Sequence, residues 1–383
     1  MNGRSLSSFF FSGPKGPFVR AILVLGLLYV FLVGVSTLEA GIKAMGSDFN
    51  EKLLESVDNP LAGLFAGVLA TVLVQSSSVT TSTIVGLVGS GTMTVEAAVP
   101  VIMGANIGTT ITNTLVSLGH ARRNEEFRRA FTAATMHDFF NIIAVSIFFP
   151  LQLATGFLTV MAEWLADLFG DSSVSGGETK SPIKRAVKAP VGRIKDALET
   201  VTDSDTLLGS VLLLVGISLI LVALASLSRN MRSLIAGRIE TAMNSAVAKG
   251  GGIVGLFTGL FVTIGVQSSS ITTSIVVPLV GSGVLGVRNA FPITLGANIG
   301  TTATALLASL AVDLRLGLVI ALHQLLFNVI GVAVLYPIPF FRNTPVAMAE
   351  RLANIATDHK AFVAVYVLGV FVMVPLAGIV ILS

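Results

Sequence analysis

The chain has 383 residues, of which 53% are hydrophobic and only 12% are charged, and its mean hydropathy is +0.86. A soluble domain carries about twice that charged fraction, so a soluble fold is excluded. The chain has no cysteine, which excludes disulfide and thiol chemistry, and its net charge of +3 fits the Lys/Arg bias of cytoplasmic loops. No basic stripe with interleaved aromatic residues supports nucleic-acid binding.

Four apolar stretches are long enough to cross a membrane as helices, since a bilayer core needs about 20 apolar residues. They are Val19–Leu38, Val211–Leu227, Leu316–Leu335 and Ala361–Leu382. The sequence therefore predicts an all-α integral membrane protein.

The basic loops predict the orientation of the chain. Arginines are concentrated in residues 122–129 and 229–238, and the N-terminal arm, residues 1–17, is basic as well. Short loops rich in Lys and Arg stay in the cytoplasm, so we expect these three segments and the N-terminus there. The acidic stretch Glu39–Asp58 then lies outside.

One block of sequence occurs twice. Val74-Gln-Ser-Ser-Ser78 returns as Val266-Gln-Ser-Ser-Ser270, and Gly104-Ala-Asn-Ile-Gly-Thr-Thr110 returns as Gly296-Ala-Asn-Ile-Gly-Thr-Thr302. Both pairs are 192 positions apart (267 − 75 and 296 − 104). A constant offset over such a length indicates an internal duplication.

The duplication divides the chain into two halves. We expect an N-terminal arm, repeat 1, a linker, repeat 2, and a C-terminal surface segment with a last transmembrane helix; these are residues 1–17, 18–170, 171–205, 206–340 and 341–383. An odd number of crossings per half would insert the two copies upside down, as in the inverted-topology repeats of secondary transporters. The linker is rich in Gly, Ser and charge, which favours a solvated connector with an amphipathic surface helix over a regulatory module.

Each Gln-Ser-Ser-Ser motif stands in a segment without formal charge, between two apolar stretches that are each too short to span a bilayer. This arrangement predicts a re-entrant hairpin or broken helix with the motif at its tip, and such backbone is tolerated only inside protein or against a water-filled cavity. Free backbone N–H groups and helix dipoles at the tip favour an anion. Because the segments carry no Arg or Lys, co-bound cations would supply the missing charge, which would couple anion uptake to a cation gradient.

Some of these residues also have simpler structural interpretations. Small hydroxylated side chains also let membrane helices pack closely, but two copies at one offset make packing alone a poor explanation. His137 and His323, with Asn141 and Asn328, form either a proton-sensitive shell or, more simply, hydrogen-bonded core positions. Asp138 becomes Gln324 in the second copy, which argues against a symmetric carboxylate site. We find no nucleophile elbow, metal-ligand spacing or phosphate-binding P-loop, so the chain is not expected to be an enzyme.

The twin motifs, together with Phe127-Arg-Arg-Ala-Phe131 and His137-Asp-Phe-Phe-Asn141, resemble the type II sodium-dependent phosphate cotransporters. The resemblance runs from about residue 18 to about residue 376. Lacking long tails and a cysteine-bearing central loop, the chain is similar to a bacterial member, expected in the inner membrane as a multi-pass protein, with a homodimer as a further expectation.

The resemblance implies inward transport of inorganic phosphate with sodium, with sodium as the coupling ion and no cofactor. It implies phosphate binding at the two motifs, Gln75, Ser76, Ser77, Ser78, Gln267, Ser268, Ser269 and Ser270. It implies sodium binding at Gln75, Ser78, Thr81, Asn106, Thr109, Thr110, Gln267, Ser270, Thr273, Asn298, Thr301 and Thr302. Electrogenic members have an Asp after a Gly behind the first helix; here Ser47 holds that place and Asp48 follows it, so Asp48 is the candidate for an additional sodium site.

Two alternatives stay open. The carrier could serve another oxyanion or a small carboxylate, since hairpin-tipped repeats suit those substrates too. A different class is an ion channel. The side of the C-terminus is open as well, because three crossings per half plus a last helix place it outside, whereas the resemblance implies inside.

Overall fold

The structure is a computed structural model that describes residues 16–46, 59–170, 182–200, 202, 204–248, 252–312 and 314–382. These residues form helices joined by short turns, with no strand among them. Seven of the described helical segments are long and apolar enough to cross a membrane: Val19–Ala44, Val95–His120, Asn124–Thr155, Asp205–Arg232, Val287–Ser309, Arg315–Leu335 and Ala361–Leu382. The four predicted apolar stretches all lie within them, which confirms an all-helical membrane protein.

The first half contributes seven helices: α1 (Gly16–Ala44), α2 (Pro60–Val74), α3 (Ser77–Gly89), α4 (Val95–Gly108), α5 (Ile111–Ser117), α6 (Asn124–Thr155) and α7 (Phe157–Gly170). Local signals explain their ends. The Asn59 side chain accepts a hydrogen bond from the Leu61 N–H at the start of α2, directly before Pro60. Gly156, with φ of 63°, ends α6 in the left-handed region that glycine adopts without strain.

The linker and the second half contribute the other helices: α8 (Pro182–Glu199), α9 (Asp205–Ala248), α10 (Gly252–Val266), α11 (Ser269–Gly281), α12 (Val287–Ser309), α13 (Leu314–Leu335), α14 (Pro339–Asp358), α15 (Ala361–Leu368) and α16 (Val374–Leu382). A π-helical turn, Gly369–Met373, joins the last two. The predicted amphipathic linker helix is α8, which buries Val187 and Val191 against α1. Residues 1–15, Asp48 and most of the acidic stretch before α2 lie outside the described residues.

Glycines bring α2 against α4 and α10 against α12. A Cβ on Gly67 would meet the Val101 carbonyl, and one on Gly104 would meet the Leu64 carbonyl. Gly259 and Gly296 face backbone of the partner helix in the same way in the second half. These positions belong to GxxxG patterns, which let membrane helices approach to backbone contact.

The same contacts fix the direction of each helix pair. Along α2 and α4, Gly67 meets Val101 and Gly108 meets Thr71, so the two helices run parallel. The five-residue turn between α3 and α4 therefore returns the end of α3 to the level where α2 began. The α2–α3 pair folds back on itself, with Gln75 and Ser76 at the tip. The parallel packing of α10 and α12 gives α10–α11 the same shape.

Two helices pack on the opposite half of the chain. The segment α7 follows α6 but packs on α13, and α14 follows α13 but packs on α6. Helices α1 and α9 run antiparallel, since Gly34 meets Ile220 and Gly41 meets Leu213. The interior between the halves therefore contains residues from both copies of the motif block.

Candidate functional site

The two hairpin tips have the same backbone conformation. Gln75 has φ of 57° and Gln267 has φ of 55°, and these are the only non-glycine residues with positive φ in the described part of the chain. A side chain in this left-handed region costs about 1–2 kcal/mol. A strain repeated at one position of both copies points to a role for the glutamine side chain.

Hydrogen bonds hold each glutamine in this position. The Gln75 amide Nε2 donates to the Val72 carbonyl at 2.6 Å, and its Oε1 accepts from the Thr112 hydroxyl at 3.2 Å. In the second copy, Gln267 donates to the Ile264 carbonyl at 2.7 Å and accepts from Thr304 at 3.1 Å. The first tip is thus tied to α5, and the second tip is tied to α12.

The residue after each glutamine begins the second helix of the hairpin. The Ser76 hydroxyl accepts from the Val79 N–H at 3.3 Å, and the Ser268 hydroxyl accepts from the Ile271 N–H at 3.4 Å. Helices α3 and α11 thus present their N-terminal ends at the tips, with no acidic side chain in either first turn. The partial positive charge of a helix N-terminus favours an anion there.

Both tips open into one cavity of about 440 Å³. The first tip supplies residues 74–79, the second supplies residues 267–271, and helix α9 supplies the remaining wall. The structure therefore brings together all eight residues predicted to bind phosphate: Gln75, Ser76, Ser77, Ser78, Gln267, Ser268, Ser269 and Ser270. Residues that are 192 positions apart in the sequence therefore line the same cavity.

The wall from α9 carries positive charge. Arg229 and Arg232 line the cavity and are exposed to it, beside Ser228. The uncharged hairpin segments gave no indication of these arginines, because they come from a different helix. An anion in the cavity is therefore within the field of two guanidinium groups as well as two helix N-termini.

The other residues predicted to bind sodium lie deeper, outside the lining of this cavity. They are Thr81, Asn106, Thr109, Thr110, Thr273, Asn298, Thr301 and Thr302, and all are buried. The hydroxyls of Thr109 and Thr301 donate to carbonyls of their own helices, as do those of Thr110 and Thr302. A hydroxyl that donates in this way keeps its oxygen lone pairs available to a cation.

Asparagines from both halves meet in this buried region. Asn298 donates to the Asn141 side-chain oxygen at 2.9 Å, and Asn141 donates to the Asn106 carbonyl at 2.7 Å. Asn328 donates to the Asn106 side-chain oxygen at 3.3 Å. These four residues form an asparagine cluster that joins α4 and α6 of the first half to α12 and α13 of the second.

Two further bonds cross between the halves. Thr273, on the second hairpin, donates to the Asn113 side-chain oxygen at 2.6 Å. Gln324, on α13, donates to the Thr81 hydroxyl on the first hairpin at 3.3 Å. Each hairpin is therefore bonded to the opposite half of the molecule.

A single carboxylate lies close to the asparagine cluster. Asp138 is fully buried, and the Tyr366 hydroxyl from α15 donates to its Oδ2 at 2.7 Å. The other carboxylate oxygen, Asp138 Oδ1, has no hydrogen-bond partner among the described residues. No Lys, Arg or His of the described residues forms an ion pair with it. A buried carboxylate in such surroundings needs a proton or a metal cation to offset its charge.

The profile of the Na+/Pi-cotransporter family matches residues 30–166 and 219–357, which is one match in each half of the chain. The chain belongs to the Na+/Pi-cotransporter family. It is 33% identical to sodium-dependent phosphate transport protein 2B of Pongo abelii, over 93% of this chain and 64% of that protein. It is 32% identical to sodium-dependent phosphate transport protein 2A of Mus musculus, over 93% of this chain and 67% of that protein.

The chain spans a little under two thirds of the length of the 2B relatives that it matches (64%). No solved structure matches it. Both family matches include a Gln-Ser-Ser-Ser motif and its downstream Asn-Ile-Gly-Thr-Thr segment. The cavity and the asparagine cluster are therefore built from the parts of the chain that carry the family signature.

Several residues at the cavity and the hairpin tips were not predicted from the sequence. Thr112 and Thr304 are 192 positions apart (304 − 112), so the repeat offset could have identified them. Arg229 and Arg232 had no such signal, since the positions 192 earlier are Thr37 and Ala40. The candidate Asp48 lies outside the described residues, and its role stays a prediction.

Proposed function

We propose that this protein carries inorganic phosphate into the cell with sodium, by alternating access of one central site. The observation that carries the proposal is the shared cavity, in which both Gln-Ser-Ser-Ser tips, two helix N-termini and two arginines meet. Relatives over 93% of the chain are named sodium-dependent phosphate transport proteins, which supports the choice of substrate and coupling ion.

Phosphate is bound in the cavity by the eight tip residues. Serine hydroxyls and first-turn N–H groups donate to its oxygens, and the dipoles of α3 and α11 favour its charge. Gln75 and Gln267 hold the tips in register through Thr112 and Thr304. Arg229 and Arg232 attract the anion to the mouth of the cavity rather than holding it at the tips.

Sodium is bound by neutral oxygens of the buried region and the hairpins. The set is Gln75, Ser78, Thr81, Asn106, Thr109, Thr110, Gln267, Ser270, Thr273, Asn298, Thr301 and Thr302. Hydroxyl and amide oxygens are the ligands that a hard cation takes from protein. We add Asp138 to this set, because its buried carboxylate gains a counter-ion when sodium binds.

In the membrane, we propose that α2–α3 and α10–α11 are re-entrant hairpins of inverted topology, entering from opposite faces. Their fold-back shape, the swapped packing of α7 and α14, and the 192-residue offset support this arrangement. Seven crossings with a cytoplasmic N-terminus leave the C-terminus outside. The arginines of residues 122–129, around the start of α6, and of residues 229–238, at and beyond the end of the candidate span Asp205–Arg232 in α9, support this orientation.

The proposal includes the bacterial inner membrane as the location and a homodimer as the assembly. Cross-linking of the protein in native membranes would test the dimer. Epitope tags at each terminus, probed in sealed vesicles of known orientation, would test the sidedness.

The decisive measurement is uptake of radiolabelled phosphate by proteoliposomes that contain the purified protein. Uptake should saturate with phosphate and should require an inward sodium gradient. Equal uptake under an inward potassium gradient, with no sodium and no proton gradient, would contradict sodium coupling.

Two controls separate the alternatives. Competition by arsenate, sulfate and succinate distinguishes a phosphate carrier, which arsenate alone should inhibit strongly, from a carrier of another oxyanion or of a carboxylate. Passive conduction that never saturates would indicate a channel. Substitution of Gln75 or Gln267 by alanine should abolish specific uptake in either carrier.

A further inference from the structure

A second cavity, of about 230 Å³, lies at the end of the bundle where α10, α12 and α14 begin. Arg288 and Arg342 line it, together with Asn289, Asn343 and the ring of Tyr336. Gly252, the first residue of α10, lies at its edge. None of the described residues that line this cavity is acidic, and we call it the basal pocket.

The two arginines stand where helix electrostatics disfavours them. Arg288 is in the first turn of α12, and Arg342 is in the first turn of α14. Neither helix has a side-chain hydrogen bond at its N-cap residue, Gly286 or Ile338, and neither has an acidic residue in its first turn. Cations belong at helix C-termini, so each arginine adds unfavourable charge to an uncapped, partly positive helix end.

In the first repeat, the corresponding helix α4 has an acidic first turn and a capped N-terminus. The position 192 before Arg288 is Glu96 (288 − 192), in the first turn of α4. That helix is capped by the Thr94 hydroxyl, which accepts from the Ala97 N–H at 3.2 Å. The second repeat has an arginine and an uncapped helix end instead. The positive charge of the basal pocket is therefore not shared by the two copies of the repeat.

Neither guanidinium has a carboxylate partner in the part of the chain that the structure describes. No ion pair of Arg288 or Arg342 occurs among the described residues, and Arg342 lies 5.8 Å from the centre of the Tyr336 ring. Two helix ends and two exposed guanidinium groups therefore converge on one cavity, and no carboxylate of the described residues pairs with either arginine. A bound anion would offset all four.

We propose that the basal pocket binds a phosphate-type oxyanion, which holds the first turns of α12 and α14 to the start of the second hairpin. The planar guanidinium fork suits the oxygens of a phosphate group, and the asparagine amides add neutral donors. Tyr336 follows the last residue of the candidate membrane span Arg315–Leu335, the depth at which aromatic side chains meet lipid headgroups. The oxyanion is either the headgroup phosphate of an anionic phospholipid or free inorganic phosphate.

The test uses the full purified chain in sodium-free buffer, so that it does not depend on transport. Bound lipid is counted by native mass spectrometry after exchange into phosphatidylcholine or phosphatidylglycerol nanodiscs. The thermal unfolding midpoint is measured in detergent as inorganic phosphate is added. The variant is Arg288→Gln with Arg342→Gln, and the matched control is Arg193→Gln with Arg351→Gln, which removes two exposed charges elsewhere.

For a lipid source, the wild type retains phosphatidylglycerol in preference to phosphatidylcholine, and the double variant loses this preference by roughly tenfold or more, the effect of losing charge-assisted bonds. For free phosphate, added phosphate raises the unfolding midpoint of the wild type and of the control by more than that of the double variant. In both cases the control behaves as wild type.

A wild-type protein that retains both lipids equally and shows no phosphate-dependent midpoint shift overturns the proposal without any variant. Equal responses of the double variant and its control overturn it as well. If the double variant does not fold, Arg342→Lys keeps the charge but removes the fork, and should weaken retention of the anion while leaving the rest of the pocket intact. Sodium-dependent uptake measured on the same preparations reports the central site independently.

Discussion

Arg229 and Arg232 give the central cavity its positive field, and in the proposed mechanism they attract phosphate before it reaches the tips. Their side chains are exposed, so their attraction is screened by water and salt. We expect Arg229→Gln with Arg232→Gln to raise the half-saturating phosphate concentration roughly two- to fivefold, with a smaller effect at high ionic strength. Initial uptake rates in proteoliposomes at low and high salt would measure this.

Arg193→Gln, at an exposed position of α8, is the control for that measurement, because it removes an arginine that does not line the cavity. If it raised the half-saturating concentration equally, the effect would belong to net charge and not to the cavity. An unchanged value in the double variant would remove both arginines from the proposed mechanism.

Asp138 and Asp48 are competing candidates for the carboxylate that offsets the charge of a sodium ion. Asp138→Asn keeps the shape of the buried side chain but removes its charge, so the sodium concentration needed for half-maximal uptake should rise, and any phosphate-evoked current should fall, because one cation loses its counter-charge. Electrophysiology of Asp138→Asn and Asp48→Ala would compare the two carboxylates directly. Tyr366→Phe, which removes only the hydrogen bond to Asp138, should keep the current.

Loss of current with Asp48→Ala and an unchanged current with Asp138→Asn would reverse this assignment in favour of the acidic stretch outside the described residues. Thermal unfolding of each variant separates loss of a cation site from loss of the fold. Asp138 was visible in the sequence, but its change to Gln324 in the second copy argued against it. Symmetry is a poor guide here, because the carboxylate is completed by Tyr366, which lies beyond both repeats.

At the scale of single elements, the hairpins depend on glycine contacts with the helix that follows. Gly104→Ala would place a methyl group against the Leu64 carbonyl and force α2 away from α4, which should cost on the order of 1–3 kcal/mol of stability. Gly296→Ala should do the same between α12 and α10. The unfolding midpoint of purified protein would report the loss.

Gly26→Ala is the matched control, because nothing lies within 4 Å of a Cβ at that position of α1. It should be neutral or slightly stabilising, since alanine is the better helix former by about 1 kcal/mol. Unchanged stability in Gly104→Ala would mean that the two helices are not in the close contact described.

The tip glutamines allow a test of backbone strain. Gln75→Gly and Gln75→Ala both lose the bond to Thr112, but glycine relieves the left-handed conformation and alanine does not. We expect the glycine variant to be more stable than the alanine variant by roughly 1 kcal/mol, with uptake lost in both. The reverse order of stability would place the tip in a different conformation.

The duplication, the apolar spans and the tip residues could all be predicted from the sequence, because each depends on a local pattern that is repeated or periodic. What could not be predicted depends on contacts between distant segments. The sequence gives no hint that Thr273 bonds to Asn113, or that Asn298 bonds to Asn141, since these partners are not related by the repeat offset. The arginines of α9 could not be predicted for the same reason, because they reach the cavity only through the packing of α9 against the hairpins.

At the scale of the whole molecule, the proposed alternating access predicts that the cavity shared by both hairpins opens to one membrane face at a time. The chain contains no cysteine, so single cysteines can be introduced without removing any. Ala225 lies on α9 and lines the cavity beside Arg229, whereas Ser204 directly precedes the first residue of α9. Each is replaced by cysteine in turn. We expect a membrane-impermeant thiol reagent to label Ala225→Cys from the cytoplasmic face and Ser204→Cys from the outer face.

Sodium with phosphate should change the labelling rate of Ala225→Cys alone, because occupancy shifts the balance between the inward- and outward-open states. Labelling of both cysteines from the same face would contradict the orientation. A labelling rate at Ala225→Cys that ignores both ions would contradict a cavity that opens and closes with its substrate.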